Sequence, residues 1–283
     1  MRLMRKPQTE QPRVRLSALR TLTRDELSRM LGGRPEEIGP WMEAAARYGL
    51  VEAQVLLGQM LLDGRGARHD SPRAFRWFSV AANAGHPPAM NMVGRCYENG
   101  WGVGRDDAAA VAWYRRAAEA SLDWGQYNFA NMLLRGRGIT RDRKAAFSWY
   151  MRAARQQHAK SMNLVGRFLE EGWEVTADPA AAVAWYRRAA EGGDYRGQYN
   201  LASCLARDGD IVGAACWFEK AVATASPDVL QIMATALRDS AEPALREIGH
   251  RAGSRLADAT SRHDGQGERH RNSAPVSVFV APR

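Results

Sequence analysis

Histidine, cysteine and serine are the residue types from which a catalytic or metal centre would be built, and this chain of 283 residues spreads them thinly. The six histidines are scattered: His69 falls in an inter-helix loop, His86 and His158 near turns, and His250, His263 and His270 towards the end. None is spaced with a cysteine as a structural metal site requires. His263 and His270 read as solvated side chains rather than ligands. Cys96 and Cys204 occupy the same recurring position as Met60, Met132 and Phe168, and Cys216 adjoins Trp217. The three thiols therefore read as small buried hydrophobes. No Ser-x-x-Lys, His-Glu-x-x-His, Walker loop or Gly-x-Ser-x-Gly occurs. Gly100-Trp-Gly-Val-Gly104 is rich in glycine, but it follows a helical pattern where a dinucleotide loop would follow a strand. No cofactor, no metal and no enzymatic activity are expected, which moves the question of function from a pocket to a surface.

The elements that would form that surface are set by a repeat. Trp41, Trp77, Trp113, Trp149 and Trp185 are each 36 residues apart. Ala53, Ala89, Gly125, Ser161 and Gly197 keep the same step, as do Asp70, Asp106, Asp142 and Asp178. A fixed period of this length marks a stacked array. In the unit from Ala53 to Pro88, Ala53, Leu57, Met60 and Leu61 share one helical stripe. Gly64 and Gly66 interrupt it. Asp70 then supplies an N-cap, with Pro72 in the first turn. A second stripe follows with Ala74, Trp77, Phe78, Ala81 and Ala82, closed at Gly85. Each unit is two antiparallel helices. Gly58, Gly94, Ala130, Gly166 and Ala202 recur in mid-helix, where glycine costs about 1 kcal/mol. Close approach of a partner helix is the expected reason. The tryptophans, Trp217 included, are expected to fill the space between successive pairs.

Ala89 to Gly94, Tyr97, Gly100-Trp-Gly-Val103, Asp106, Ala110, Trp113-Tyr114 and Ala117-Ala118 carry a pattern that resembles the Sel-one-like repeat, a relative of the tetratricopeptide repeat. The resemblance covers roughly residues 36 to 238. It implies an all-α, right-handed superhelical solenoid of antiparallel helix pairs, serving as an adaptor or scaffold for protein complexes without chemistry of its own. It further implies binding on a concave face lined by the first helix of each pair. Some members are cysteine-rich and secreted with a disulfide in each repeat, a pairing this chain lacks. β-Lactamase activity has been linked to others, and the missing Ser-x-x-Lys argues against it here.

Departures from the pattern set the boundaries. Glu174 replaces the second loop glycine; if that position needs positive φ, the loop is strained there by about 1 kcal/mol. The fifth unit is shorter, with Trp217 following Trp185 by 32 residues. The expected organisation is a disordered basic tail over 1–22, capping helices over 23–49 with the first from Thr23 to Leu31, five helix-pair repeats over 50–226, a C-terminal cap over 227–251 and a disordered tail over 252–283. Val276 to Val280 alternates like a strand and reads as a frayed end or a docking motif. A second periodicity overlies the first. Ala109 to Glu119 and Ala181 to Glu191 are the same eleven residues, 72 apart, and the loop tip alternates Arg65, Trp101, Arg137, Trp173. Duplication of a two-repeat block produces this.

The net charge of +9 sits at the ends. Residues 1–35 hold nine basic and three acidic side chains, residues 246–283 seven and four, and the repeats between them 24 of each sign. The repeat surface is accordingly expected to be mixed, with no basic stripe. Nucleic-acid or acidic-partner binding through the basic tails is the alternative reading. No export signal and no run of roughly 20 apolar residues appears, so a cytoplasmic monomer without membrane contact is expected.

On the first helix of each pair, one face offset from the core stripe gathers Leu56, Met92, Asn128, Leu164 and Asn200, an adjacent row Gln59, Arg95, Asn131, Arg167 and Ser203, and a third Asn91, Tyr127, Asn163 and Tyr199. Amide, guanidinium and phenol groups among Met and Leu suit an extended peptide, with Arg95 and Arg167 directed at carboxylates. The partner-binding candidates are Asn91, Arg95, Tyr127, Asn128, Asn131, Asn163, Arg167, Tyr199 and Asn200; the asparagines have the competing role of holding neighbouring helices. Trp101 and Trp173 are candidate loop anchors if exposed, or seals over the neighbouring loop if not. Trp124, at a helix start, has no assigned role.

Overall fold

The computed structural model describes residues 35–264. Among these residues there are thirteen helices and no strand. The expected segments 1–22 and Thr23 to Leu31, and Val276 to Val280, lie outside the described residues. The helices are α1 (Pro35–Arg47), α2 (Val51–Asp63), α3 (Ser71–Asn83), α4 (Pro87–Asn99), α5 (Asp107–Glu119), α6 (Asp123–Arg135), α7 (Arg143–Arg155), α8 (Ala159–Glu171), α9 (Pro179–Glu191), α10 (Tyr195–Arg207), α11 (Ile211–Thr224), α12 (Pro227–Leu237) and α13 (Pro243–Asp264). We call α2, α4, α6, α8 and α10 the A helices and α1, α3, α5, α7, α9 and α11 the B helices. The chain forms two compact units. One holds the described residues up to Gly125 with Arg137–Ile139; the other holds Gln126–Gly136 and the residues from Thr140 onwards. In the first unit α2 packs on α3 and α4 on α5, and α3 joins successive pairs by packing on α4. In the second, α8 packs on α7 and α9, α10 on α9 and α11, and α12 and α11 both pack on α13.

Caps delimit the B helices as their sequence demands. The carboxylates of Asp70, Asp106, Asp142 and Asp178 accept from the backbone N–H three residues on, at 2.8–2.9 Å. At the starts of the A helices, His86 and His158 do the same through Nδ1, accepting from Ala89 N and Ser161 N, and Asp194 accepts from Gly197 N. α13 runs to Asp264 and buries Ala252, so the C-terminal cap extends past residue 251, where the sequence reading ended it.

The core is built on small residues beneath aromatic rings. A β-carbon on Gly58 would lie 2.6 Å from the Phe78 ring, one on Gly94 2.6 Å from Tyr114 and one on Gly166 2.6 Å from Tyr186. The close approach expected of the mid-helix glycines is thus made by an aromatic side chain of the following B helix. Phe78, Tyr114, Tyr150, Tyr186 and Phe218 are all fully buried. Removing each from water contributes about 2–3 kcal/mol.

This corrects the role assigned to the tryptophans. Trp41, Trp77, Trp113, Trp149, Trp185 and Trp217 are half-buried, and the deep wedge is the residue after each of the last five. Four of these indoles are roofed by the cation three residues on, one helical turn away. Arg116 lies 4.1 Å above Trp113, Arg152 4.4 Å above Trp149, Arg188 4.3 Å above Trp185 and Lys220 4.0 Å above Trp217.

Backbone conformation repeats as well. Gly102 has φ +72°, and a β-carbon there would meet the Ser71 carbonyl oxygen at 2.1 Å. Glu174 takes the same left-handed conformation, with φ +58°, so the strain read from its sequence is present. Where the B helices end, Gly85 and Gly193 have φ +90° and +83°, and the equivalent Ser121 and Gln157 adopt +64° and +66° despite their side chains.

This geometry fixes the response to two kinds of substitution. Gln157→Gly should raise stability by about 0.5–1 kcal/mol, because it relieves a left-handed residue, whereas Gly102→Ala should cost about 2 kcal/mol or more, because the added carbon meets backbone. Urea midpoints shifting in opposite directions check both; equal or same-sign shifts contradict the reading. The second concerns Asp194. Burial raises its pKa above the ordinary value of 3.8, against the lowering effect of the Gly197 N–H and of Arg196. A raised folded-state value means that the group stabilises most below pH 3.8 and that this contribution is lost as pH rises through the folded value. Asp194→Asn keeps the capping acceptor without the charge, so it should be more stable than the parent at pH 7, with the advantage shrinking on acidification. Urea midpoints across that pH range measure it, and a deficit at pH 7 would contradict it.

Candidate functional site on the A helices

The nine candidate binding residues separate by depth. Asn91 and Asn163 are only 8% and 3% exposed, so they are withdrawn from the surface the sequence reading gave them. Asn163 Oδ1 accepts from Asn200 Nδ2 at 2.7 Å, which ties α8 to α10 side by side. Asn131 Oδ1 accepts from the buried Tyr150 hydroxyl at 2.7 Å. Tyr127 is half-buried, with its ring 4.9 Å from that of His158 and 6.1 Å from that of Tyr150; burial pushes its phenol up. Tyr199 likewise lies 5.8 Å from Phe218. Asn128 and Asn200 are half-buried. The amides and phenols of these rows are largely committed to packing one helix on the next.

Arg95 and Arg167 differ. Each is half-buried on an A helix, and among the described residues neither enters an ion pair. Arg95 lies 4.9 Å above the Trp101 ring and Arg167 5.2 Å above the Trp173 ring. The helix ends create this arrangement. Gly100 and Gly172 close α4 and α8 in the left-handed conformation, and the next N–H turns back to bond Cys96 O at 2.9 Å or Phe168 O at 3.0 Å. The indole is thereby folded under the arginine of the preceding turn. Trp101 packs against the core of the first unit, and Trp173 meets Phe168 edge to face at 5.5 Å. Both loop tryptophans are half-buried platforms for a cation. Trp124 is 44% exposed.

Behind each pair stands a residue that the sequence reading missed. Glu98 accepts from the Tyr114 hydroxyl at 2.6 Å, and Glu170 from the Tyr186 hydroxyl at 2.6 Å. Their separation of 72 residues was the available signal. At the alternate loop tip Arg137 is spent internally: it forms a bidentate pair with Asp107, at 2.6 and 3.2 Å, and reaches Glu98 at 3.1 Å. Arg137 at its loop tip is consumed by pairing, whereas Arg65 at the equivalent tip is exposed and enters no ion pair among the described residues.

The groups that might act as nucleophiles or bases are held elsewhere. Burial pushes the Cys96 thiol up to about 12 and raises that of Cys204. His86 and His158 cap helices. Tyr114, Tyr150 and Tyr186 are raised by burial, and the carboxylates beside Tyr114 and Tyr186 add to this. Among the described residues no group of three His, Cys, Asp or Glu could hold a metal ion, and no helix is long and apolar enough to cross a membrane.

Known proteins share this construction. Residues 51–86, 87–122, 125–158 and 159–194 each match the Sel1 repeat. No curated protein matches the chain. Among solved structures, a protective antigen of uropathogenic Escherichia coli with an SLR fold is similar, at 25% identity and a TM-score of 0.66; the match covers 86% of this chain, which spans only 55% of the antigen. A Sel1 repeat protein from Oxalobacter formigenes is 23% identical with a TM-score of 0.69, over 84% of this chain and 99% of that one. An immunity protein from Pseudomonas aeruginosa is 16% identical with a TM-score of 0.51, over 74% and 82%. Proteins with these repeats generally act as non-catalytic scaffolds for protein interactions. With four matched repeats and the helix pairs to go with them, the chain belongs to the Sel1 repeat family.

Proposed function

We propose that this protein is a non-catalytic, cytoplasmic scaffold, working as a monomer without cofactor, that holds an acidic or polar segment of a partner protein on its A-helix face. The observation that carries this reading is the pair of cations without an ion pair among the described residues, Arg95 over Trp101 and Arg167 over Trp173. A guanidinium resting on an indole keeps its edge free for bidentate contact with a carboxylate, and loses little conformational entropy on binding because it is already placed. Each compact unit offers one such cation. Asn128 and Asn200 flank the arginine rows with amides, and Trp101 and Trp173 serve as floors beneath the cations rather than as free anchors.

Affinity purification from the native cell with the full chain, followed by titration of the recovered partner, tests this. Arg95→Ala and Arg167→Ala should each weaken binding by about tenfold, and the double variant should lose the partner while remaining helical. Unchanged recovery with the double variant would overturn the reading. Deleting residues 1–22 addresses the competing one: salt-sensitive nucleic-acid binding that vanishes with the tail would favour the basic ends instead.

A further inference from the structure

A second surface lies on the B helices of the second unit. Arg152, Arg188 and Lys220 occupy the same register on α7, α9 and α11, and each is exposed above its own tryptophan. Among the described residues none of the three is ion-paired. Acids do not offset them. α7 carries no acid at all, and Glu219 beside Lys220 is taken by Arg251 of α13. Only Glu191, a turn beyond Arg188, faces the row from these helices. The capping carboxylates Asp142, Asp178 and Asp210 stand ten residues before the cations, about 15 Å along each helix, which exceeds the screening length at physiological salt. The even balance of charge along the repeats thus conceals a cationic row, contrary to the mixed surface expected from sequence.

The row has a partly apolar margin. One turn before each cation sits a small exposed residue, Ser148, Ala184 or Cys216, and a turn earlier on α11 stands Val212, 84% exposed. The occupant must therefore be anionic and partly apolar. The chain's own ends are basic and repelled. A second copy docked through the same row would set like charges face to face. Nucleic acid would satisfy the cations but leave Val212 in contact with phosphate and sugar. We propose that this row binds an acidic amphipathic helix of a partner protein, its carboxylates pairing with Arg152, Arg188 and Lys220 and its apolar side lying on Val212, Ala184 and Cys216.

The test uses the full chain and a helical peptide of about twenty glutamates and leucines, with leucine at every third or fourth position. Binding at ~150 mM salt is followed by the tryptophan fluorescence, since three of the indoles lie directly beneath the cations. Arg152→Gln, Arg188→Gln and Lys220→Gln together should weaken the peptide by about tenfold or more, and Val212→Ser should weaken it by a smaller factor. Arg152→Lys with Arg188→Lys should retain most of the affinity, which separates loss of charge from loss of fold. The tenfold difference should persist in the Arg95→Ala, Arg167→Ala background, so failure here is distinguishable from failure of the A-helix reading. A duplex of about twenty base pairs should show no difference in binding between the parent and the triple variant. Peptide binding unchanged in the triple variant, or duplex binding that falls as far as peptide binding, would overturn the proposal.

Discussion

The rest of the structure depends on one contact: a buried ring of a B helix lying against the bare backbone of the A helix before it. Phe78, Tyr114 and Tyr186 each occupy the space that a β-carbon on Gly58, Gly94 or Gly166 would need. The helix accepts a poor helix former at its centre because the ring repays more than the propensity lost. Two repeats use alanine at that position, Ala130 and Ala202, and still bury Tyr150 and Phe218 fully. The requirement is therefore for a small residue, with glycine where the ring comes closest. Depth is then set for everything nearby. Once the second aromatic of the Trp-aromatic pair points inward, the tryptophan is turned to the flank, where it is half-covered and available to a cation.

Most of the architecture was legible from spacing. The 36-residue step, the capping aspartates and the loop glycines located helix pairs with caps at their predicted residues. What spacing could not decide was which of two adjacent aromatics faces the interior, because both recur with the same period. The discriminating signs were local: a glycine twenty residues before Phe78, Tyr114 and Tyr186, and an arginine or lysine three residues after four of the six periodic tryptophans. The candidate site was legible in part. Arg95 and Arg167 stand out by type and position, but the asparagines beside them look identical whether they face water or each other, and only geometry shows Asn163 accepting from Asn200. Charge balance misled for a related reason. A sum over a repeat says nothing about the side of the helix on which each sign is placed.

The two surfaces use one chemical device in different settings. On the A helices an arginine rests on a loop tryptophan that the helix end folds beneath it; on the B helices a cation rests on a tryptophan one turn earlier in the same helix. In both, the flat ring shields one side of the cation and leaves its outer edge exposed. At the loop tip between Trp101 and Trp173 in sequence, the Arg137 guanidinium is drawn into Asp107 and Glu98 and becomes part of the framework.

The two-repeat block sets the copy number of these features. Arg95, Trp101 and the Tyr114–Glu98 bond recur 72 residues on as Arg167, Trp173 and the Tyr186–Glu170 bond, so cation, platform and support travel together in a single inherited segment. An array that gains or loses one such segment changes its number of arginine-covered loop indoles by one while leaving the contacts of every remaining one intact.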